Sequence, residues 1–240
     1  MATGLFASAA HGATVTEAFT GGLGGFDATV GNTANGNNFG YSNTNFAGDT
    51  AGELGGTFAR TNPDAYVADT SLGGNVDATK AFQFDGLLSL DNIDADGSIF
   101  VGFFNPVSGA DNANFTGFQI EEPSSASGVD GPFRVNIRTG GANSGSIGGI
   151  DQNASTAFSY SYNGAGTITY SIGGTTGTLT ATPAGAFSAF GVGAGLNGSS
   201  NAGANSTVYF DNLGYTTVPE PASLALLGLG GLACFARRRA

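Results

Sequence analysis

The chain has very little of the chemistry on which most enzymes depend. Its 240 residues include one cysteine, one histidine and no tryptophan, and only 10% of them are charged. The histidine, His11, lies near the first residue, and the cysteine, Cys234, lies near the last. The residues between these two ends therefore exclude a disulfide framework, a thiolate nucleophile, a Ser-His-Asp triad and a His/Cys zinc site.

Basic residues are scarce as well. Lysine and arginine number 7 against 18 aspartates and glutamates, which gives a net charge of −11. Without residues 219–240 the chain loses three arginines and Glu220, which leaves 4 basic and 17 acidic residues and a net charge of −13. Such an acidic surface repels phosphate backbones, so the composition disfavours nucleic-acid binding and suits a soluble protein outside the cell.

Glycine and phenylalanine are abundant. The 42 glycines predict short strands and tight turns, and the 19 phenylalanines, in a chain with 40% hydrophobic residues, are enough for a sizeable packed core. Although the length would allow two domains, all-β sandwiches of this size are commonly single domains.

Residues 219–240 have three parts in a fixed order. Pro219, Glu220 and Pro221 end any strand or helix, because proline lacks an N–H and restricts the residue before it. An uncharged apolar run over residues 222–236 follows, and the cluster Arg237, Arg238 and Arg239 comes after it. The positive-inside rule places these arginines in the cytoplasm and everything before Pro219 outside. The alternative is a buried C-terminal helix, since such a run rises only ~22 Å against a hydrocarbon core of ~30 Å.

This tail resembles the PEP-CTERM sorting signal of bacterial exported proteins. The Pro-Glu-Pro motif, the apolar segment and the terminal arginines all stand in that order at the chain end. The resemblance implies export, temporary anchoring in the inner membrane by a short transmembrane helix, and cleavage near the motif by an exosortase-type transpeptidase. It also implies a role in the exopolysaccharide or biofilm layer, and it says nothing about the body of the protein.

The N-terminal stretch, residues 1–13, has half of the features of a secretory signal. Small residues at Ser8–Ala10 and Ala10–Gly12 fit a cleavage point, but a basic start and a full apolar run are missing. We interpret this stretch as a signal-peptide remnant whose true start lies upstream. An ordinary irregular terminus is the alternative.

The body, residues 14–218, reads as strands separated by turn signals. Alternating or continuous apolar residues predict about a dozen strands and no helix before the tail, which indicates an antiparallel two-sheet sandwich. The stretch Gly140–Gly149 is predicted to be a loop, and Gly86 is predicted to separate two strands. The clearest predicted strands are Lys80–Asp85, Leu87–Leu90, Ser98–Phe104, Phe115–Glu122, Pro132–Thr139, Phe158–Tyr162, Thr167–Ile172, Thr178–Ala181, Phe187–Leu196 and Ser206–Thr216.

The order of four of these strands resembles the concanavalin-like or laminin-G-like jelly roll. The residues that carry the resemblance are the core strand Val101–Phe104, the run Phe158–Asn163 with its turn into Thr167–Tyr170, and the closing run Val208–Leu213. The resemblance implies a jelly-roll sandwich and the sugar binding that is common among proteins of this fold. The glucanases that share this fold carry Glu-x-Asp-x-x-Glu, and no such run occurs here.

The sequence offers two candidate sites, an acid pair for hydrolysis and a loop for a calcium ion. Glu121 and Glu122 are the obvious acid pair for glycoside hydrolysis, but adjacent residues of a strand point to opposite faces and do not converge. For a bound ion, Asn92, Asp94 and Asp96 place side-chain oxygens at alternate positions before Gly97, as in a calcium loop. The residue at the twelfth position is Phe103 rather than Glu, so an Asp- and Asn-rich hairpin turn is the favoured interpretation.

Two weaker signals remain. Tyr160 and Tyr162 are spaced either for a sugar-stacking platform or for a strand in the core, and the glycines from Gly191 to Gly195 indicate a tightly packed strand. The sequence therefore predicts an exported, non-enzymatic protein associated with extracellular polysaccharide. A lectin-like carbohydrate-binding module is the first alternative, and a glycoside hydrolase or polysaccharide lyase is the second.

Overall fold

The computed structural model describes most of the body of the chain. The described residues are 14–30, 37–48, 50–59, 65–72, 76–93, 97–106, 115–122, 132–139, 142–194 and 205–217. They form an all-β protein, as the periodicity predicts. Within these ranges there is no helix of the length and hydropathy needed to cross a membrane.

The described residues contain 17 strands. In chain order they are β1 (Thr14–Glu17), β2 (Ala28–Val30), β3 (Gly40–Ser42), β4 (Glu53–Ala59), β5 (Tyr66–Asp69), β6 (Val76–Asp77), β7 (Ala81–Ile93), β8 (Ser98–Phe104), β9 (Phe115–Glu121), β10 (Phe133–Thr139), β11 (Ala142–Ile150), β12 (Thr156–Asn163), β13 (Thr167–Ile172), β14 (Thr175–Thr180), β15 (Ala186–Phe187), β16 (Ala189–Ala194) and β17 (Asn205–Thr217).

Two antiparallel sheets contain nearly all of these strands. Sheet A has the order β14-β13-β12-β7-β17-β4-β3, with β1 also paired to β17, and sheet B has the order β11-β10-β9-β8-β16-β5-β2. The short strands β6 and β15 pair with each other. Strand β17 lies at the centre of sheet A, where it pairs with β1, β4 and β7.

Aromatic rings from both sheets form the core between them. Phe84 of β7 lies 4.8 Å from Tyr160, 5.9 Å from Phe118 and 5.4 Å from Phe190, measured between ring centroids. Edge-to-face and offset contacts of this kind add to the hydrophobic gain from burying the rings. Tyr160 and Tyr162 are each 1% exposed, so they belong to the core and not to a sugar-stacking platform.

Two polar bridges cross the core from one sheet to the other. The Tyr160 hydroxyl shares a 2.8 Å hydrogen bond with Thr116 of sheet B, and the Tyr215 hydroxyl donates to the Asp69 carboxylate over 2.8 Å. Burial raises the pKa of both tyrosines, so each phenol stays protonated. Because a buried polar group costs free energy unless it is paired, these bridges fix one register between the sheets.

Three predictions about local structure are wrong. Gly86 does not separate two strands, because β7 continues through it; the glycine is required there, since a Cβ would lie 2.9 Å from Leu213 and 3.0 Å from Phe158. The predicted loop Gly140–Gly149 contains strand β11, which pairs with β10. Strands β7 and β8 belong to different sheets and do not pair, so they do not form the predicted hairpin; residues 94–96 lie outside the described residues.

Candidate functional site

The outward face of sheet B contains a polar cluster. Phe118 and Ile120 of β9 lie in the core, so Gln119 and Glu121 point to the opposite side of the sheet. The same alternation directs three residues of β10 outward, and the antiparallel register of β8, β9 and β10 brings all these side chains together. The sheet B cluster consists of Ser98, Gln119, Glu121, Arg134, Asn136 and Arg138.

Glu121 is the only carboxylate among the described outward strand positions of sheet B, and three donors hold it. The Asn136 amide donates to its Oε2 over 3.0 Å. Arg134 Nη2 lies 3.5 Å from Oε2, and Arg138 Nη2 lies 3.8 Å from Oε1. The Glu121 and Arg138 side chains are 14% and 16% exposed, so this ion pair is largely removed from water. Arg134 is more exposed, and its Nε donates to the backbone carbonyl of Glu122.

Gln119 presents a buried donor that has no partner. Its Oε1 accepts a hydrogen bond from Arg138 Nε, which fixes the orientation of the amide, because a flipped amide would oppose two donors. The Gln119 Nε2 then has no hydrogen-bond partner among the described residues, although the side chain is fully buried. Ser98, which is paired with Glu121 across β8 and β9, likewise has a buried hydroxyl without a partner.

Aromatic side chains adjoin the cluster on the same face. Their members, with the small residues between them, are Tyr66, Ala68, Phe100, Phe104, Phe115 and Ala189. Phe100 is directly opposite Gln119 in the register, and its ring centroid lies 4.6 Å from that of Phe115. These rings lower the local dielectric, so charges and dipoles in the cluster interact more strongly than they would in water.

Gly102 and Gly117 form a strip without side chains beside these rings. They face each other across β8 and β9, and a Cβ on either would lie within 2.3 Å of a backbone oxygen of the other strand. Their φ angles of 154° and 156° also favour glycine. The strip lets the two strands approach closely next to the cluster.

The cluster concentrates positive charge on an acidic protein. Only four basic residues precede residue 219, and two of them, Arg134 and Arg138, lie on β10 in this cluster. Guanidinium groups donate and never accept, so two arginines and a free amide N–H₂ against one carboxylate leave an excess of donors. Such a site is suited to an oxygen-rich ligand, above all one that carries a carboxylate.

The sequence pointed to part of this site. It identified Glu121, but as half of a pair with Glu122; the structure instead brings Glu121 to Gln119 and the arginines of β10. The alternation of Arg134, Asn136 and Arg138 along one strand was the available signal. The register of β9 against β10, which the sequence does not state, is what assembles the cluster.

The other predicted site residues are described only in part. Asn92 lies on β7 opposite Thr207, while Asp94 and Asp96 lie outside the described residues. Within the described ranges no group of three or more His, Cys, Asp or Glu side chains is placed to hold a metal. Calcium binding at Asn92, Asp94 and Asp96 therefore stays a prediction. The residues Pro219, Glu220, Pro221 and Arg237–Arg239 also lie outside the described part, as do residues 1–13.

Comparison with known families identifies the tail. Residues 217–240 match the family described as the PEP-CTERM protein-sorting motif, which confirms the predicted sorting signal. The motif implies that the protein is exported, that its tail is anchored transiently in the membrane, and that an exosortase-type system processes it. No curated protein sequence matches the chain.

Comparison with solved structures supports the predicted jelly roll. The chain is similar to "Cellulose induced protein, Cip1" with a TM-score of 0.54 and 13% identity over 84% of this chain and 96% of that chain. It is also similar to an alginate lyase from Alteromonas sp. 272, with a TM-score of 0.48 and 15% identity over 76% and 95% of the two chains. An alginate lyase from Pseudomonas aeruginosa gives a TM-score of 0.47 and 11% identity over 72% and 83%. At these identities the likeness shows the fold alone.

Proposed function

We propose that this exported protein is a non-enzymatic component of the extracellular polysaccharide layer, and that it binds acidic polysaccharide through the sheet B cluster. The observation that carries the proposal is the fully buried Nε2 of Gln119, which has no hydrogen-bond partner among the described residues. A buried amide donor without a partner costs free energy, and a ligand oxygen at this position would remove that cost.

The charges of the cluster favour an acidic saccharide. A uronate carboxylate would accept from the Gln119 amide and from the guanidinium groups of Arg134 and Arg138, which are donors in the same patch. Elsewhere the acidic body repels such a polymer, so binding would be confined to this patch. The flanking aromatic residues exclude water and strengthen these contacts.

The state of Glu121 supports a binding role over a catalytic one. This carboxylate accepts a hydrogen bond from Asn136 and forms ion pairs with Arg134 at 3.5 Å and Arg138 at 3.8 Å, so donors already hold it in place. A general base needs a free lone pair directed at the proton that it removes. Hydrolysis also requires a second acid across the sugar, and the neighbours of Glu121 in the cluster are amides and arginines.

Affinity electrophoresis tests the proposal. The full-length protein, kept in mild detergent, is run through gels that contain a uronate polysaccharide, and wild type should be retarded. Arg138→Ala should abolish the retardation, whereas Lys80→Ala, which removes the same charge from the side of the molecule that carries sheet A, should leave it intact. Equal loss in the two variants would show general charge attraction, and no retardation of wild type would contradict the proposal.

A polysaccharide lyase is the second candidate function. The same donors that would bind a uronate carboxylate would also neutralise its charge during β-elimination. This arrangement of donors is the observation that favours the lyase as the second candidate. Each elimination leaves one double bond, at the new non-reducing end, while the other fragment keeps the released oxygen as a hydroxyl, and this double bond absorbs ultraviolet light. We expect no such absorbance when wild-type protein is incubated with the polysaccharide, and a steady rise would establish the lyase.

The extracellular destination can be tested independently of binding. Mass spectrometry of both ends of the protein recovered from the membrane, the cell surface and the medium should show cleavage near Pro219–Pro221 and residence outside the cell. Recovery of the intact chain from the cytosol would contradict this part of the proposal.

A further inference from the structure

A second feature lies on the outward face of sheet A, far from the sheet B cluster in the fold. Phe46, in the connection between β3 and β4, is 54% exposed. Its ring packs against Tyr209 of β17, with 4.6 Å between the ring centroids and 47° between the ring planes. Single exposed aromatic side chains are common on protein surfaces, so one indicates a binding site only where the surrounding structure holds it in place.

A fully buried carboxylate holds the connection that carries Phe46. Glu53 accepts the backbone N–H of Phe46 over 2.9 Å and that of Ala47 over 2.8 Å, and it also accepts the hydroxyl of Thr44. Ser155, in the connection between β11 and β12, donates to the carbonyl of Ala47. A buried charge is stable only with several donors, so this arrangement fixes the backbone on both sides of Phe46.

Tyr209 is fixed by a glycine on the neighbouring strand. Val208 and Phe210 are core residues, so Tyr209 points outward, and its ring lies over Gly55 of β4, where a Cβ would come within 2.2 Å of it. The half-buried ring therefore lies against the sheet with one side available to Phe46. Burial and the nearby carboxylates of Asp91 and Glu53 raise the pKa of Tyr209, so its hydroxyl stays protonated and can donate.

We propose that Phe46, Tyr209 and Asp91, here called the aromatic platform, form a second saccharide site that binds a neutral pyranose ring. The axial C–H groups of a pyranose pack on aromatic rings, and its hydroxyls donate to a carboxylate such as Asp91, which is exposed beside Tyr209. The acidic side chains around the platform repel a uronate, so its ligand differs from that of the sheet B cluster.

The pre-organised backbone is what distinguishes the platform from a stray surface aromatic residue. Tyr41 of β3 provides the comparison, because it is the other large hydrophobic residue that is exposed among the described residues, at 43%. Its backbone lies in a short edge strand, whereas the backbone of Phe46 is held by a dedicated buried carboxylate. A side chain that is already fixed loses less conformational entropy when a ligand stacks on it.

Affinity electrophoresis in gels that contain a neutral glucan tests this inference with the full-length protein in mild detergent. Phe46→Ala should weaken the affinity about tenfold or more, Asp91→Asn should weaken it less, and Tyr41→Ala should leave it unchanged. Retardation by the uronate polysaccharide should be the same in all three variants. The inference is overturned if neutral glucans do not retard wild type, or if Tyr41→Ala and Phe46→Ala lose affinity equally.

A spectroscopic variant provides a second readout. The chain contains no tryptophan, so Phe46→Trp introduces a single indole at the platform. A neutral oligosaccharide should shift the indole emission and saturate it, and a uronate oligosaccharide should not. An emission spectrum that stays unchanged with the neutral sugar, in a variant that still unfolds cooperatively, would contradict the placement of the site.

Discussion

The two outward faces of the sandwich treat their buried polar groups in opposite ways. On sheet A, the buried carboxylate of Glu53 is satisfied by three donors from its own loop. On sheet B, the buried Gln119 amide and Ser98 hydroxyl each retain a polar atom without a partner among the described residues. The first arrangement builds a rigid loop, and the second leaves hydrogen-bonding capacity for another molecule.

The faces also differ in the sign of their charge. The aromatic platform contains Asp91 and lies near the buried carboxylate of Glu53, whereas two of the body's four basic residues lie in the sheet B cluster. One small sandwich therefore presents a donor-rich face and an acceptor-rich face. For a protein that carries an export signal, this difference predicts contacts with two kinds of extracellular sugar at once.

The largest expected effect tests whether Glu53 is structural. Glu53→Ala leaves two backbone N–H groups and a hydroxyl without their acceptor, so we expect it to lower the free energy of unfolding by about 3 kcal/mol or more. Urea denaturation followed by circular dichroism measures this loss. A variant as stable as wild type would remove the distinction between the two faces.

The next effect is a crossed loss of binding. Arg138→Ala should weaken binding of a uronate polymer about tenfold or more and spare the neutral glucan, while Phe46→Ala should do the reverse. Titration of each variant with each polymer gives the four affinities. If either variant weakens both ligands alike, the faces do not act separately.

Salt should have a smaller effect on affinity, and the effect should differ between the two faces. The screening length falls from about 30 Å at 0.01 M ionic strength to about 8 Å at 0.15 M, so binding of the uronate polymer should weaken several-fold over this range. Stacking of a neutral sugar on Phe46 involves no net charge and should hardly change. Equal salt dependence of the two ligands would mean that charge does not distinguish the faces.

The smallest effect concerns Ser98. Because its buried hydroxyl has no hydrogen-bond partner in the part of the chain that the structure describes, Ser98→Ala should leave stability unchanged or raise it by up to about 1 kcal/mol. The same variant should bind the uronate polymer more weakly. A clear loss of stability on thermal unfolding would show that the hydroxyl is already satisfied and is not held for a ligand.

Periodicity predicted most of the sandwich, and its failures have physical causes. Strands β8, β10 and β13 follow their apolar patterns closely, since half-buried or fully buried strands need those patterns. Strand β11 was missed because most of its residues are glycine, serine and asparagine; it pairs with β10, and only Ile147 and Ile150 contact the core. Gly86 looked like a strand end, but it lies within β7, where the lack of a side chain leaves room for Leu213 and Phe158.

The sites were harder to predict than the strands. The sheet B cluster depends on the register that places Gln119 opposite Asn136, and no local pattern encodes that register. Phe46 lies in a stretch of glycine, asparagine and threonine that reads as a loose loop, and its support comes from Glu53 on the next strand. The sorting motif of the tail, in contrast, was recognised from the sequence, because it is contiguous.

Titration of the full-length protein with a uronate oligosaccharide, for wild type and for Gln119→Glu, tests the central claim most directly. The substitution keeps the shape of the side chain and its contact with Arg138 but replaces the unpartnered donor with an acceptor. We predict saturable binding to wild type without cleavage of the sugar, and no binding to Gln119→Glu. Equal affinity in the two proteins, or no binding to wild type, would contradict the account.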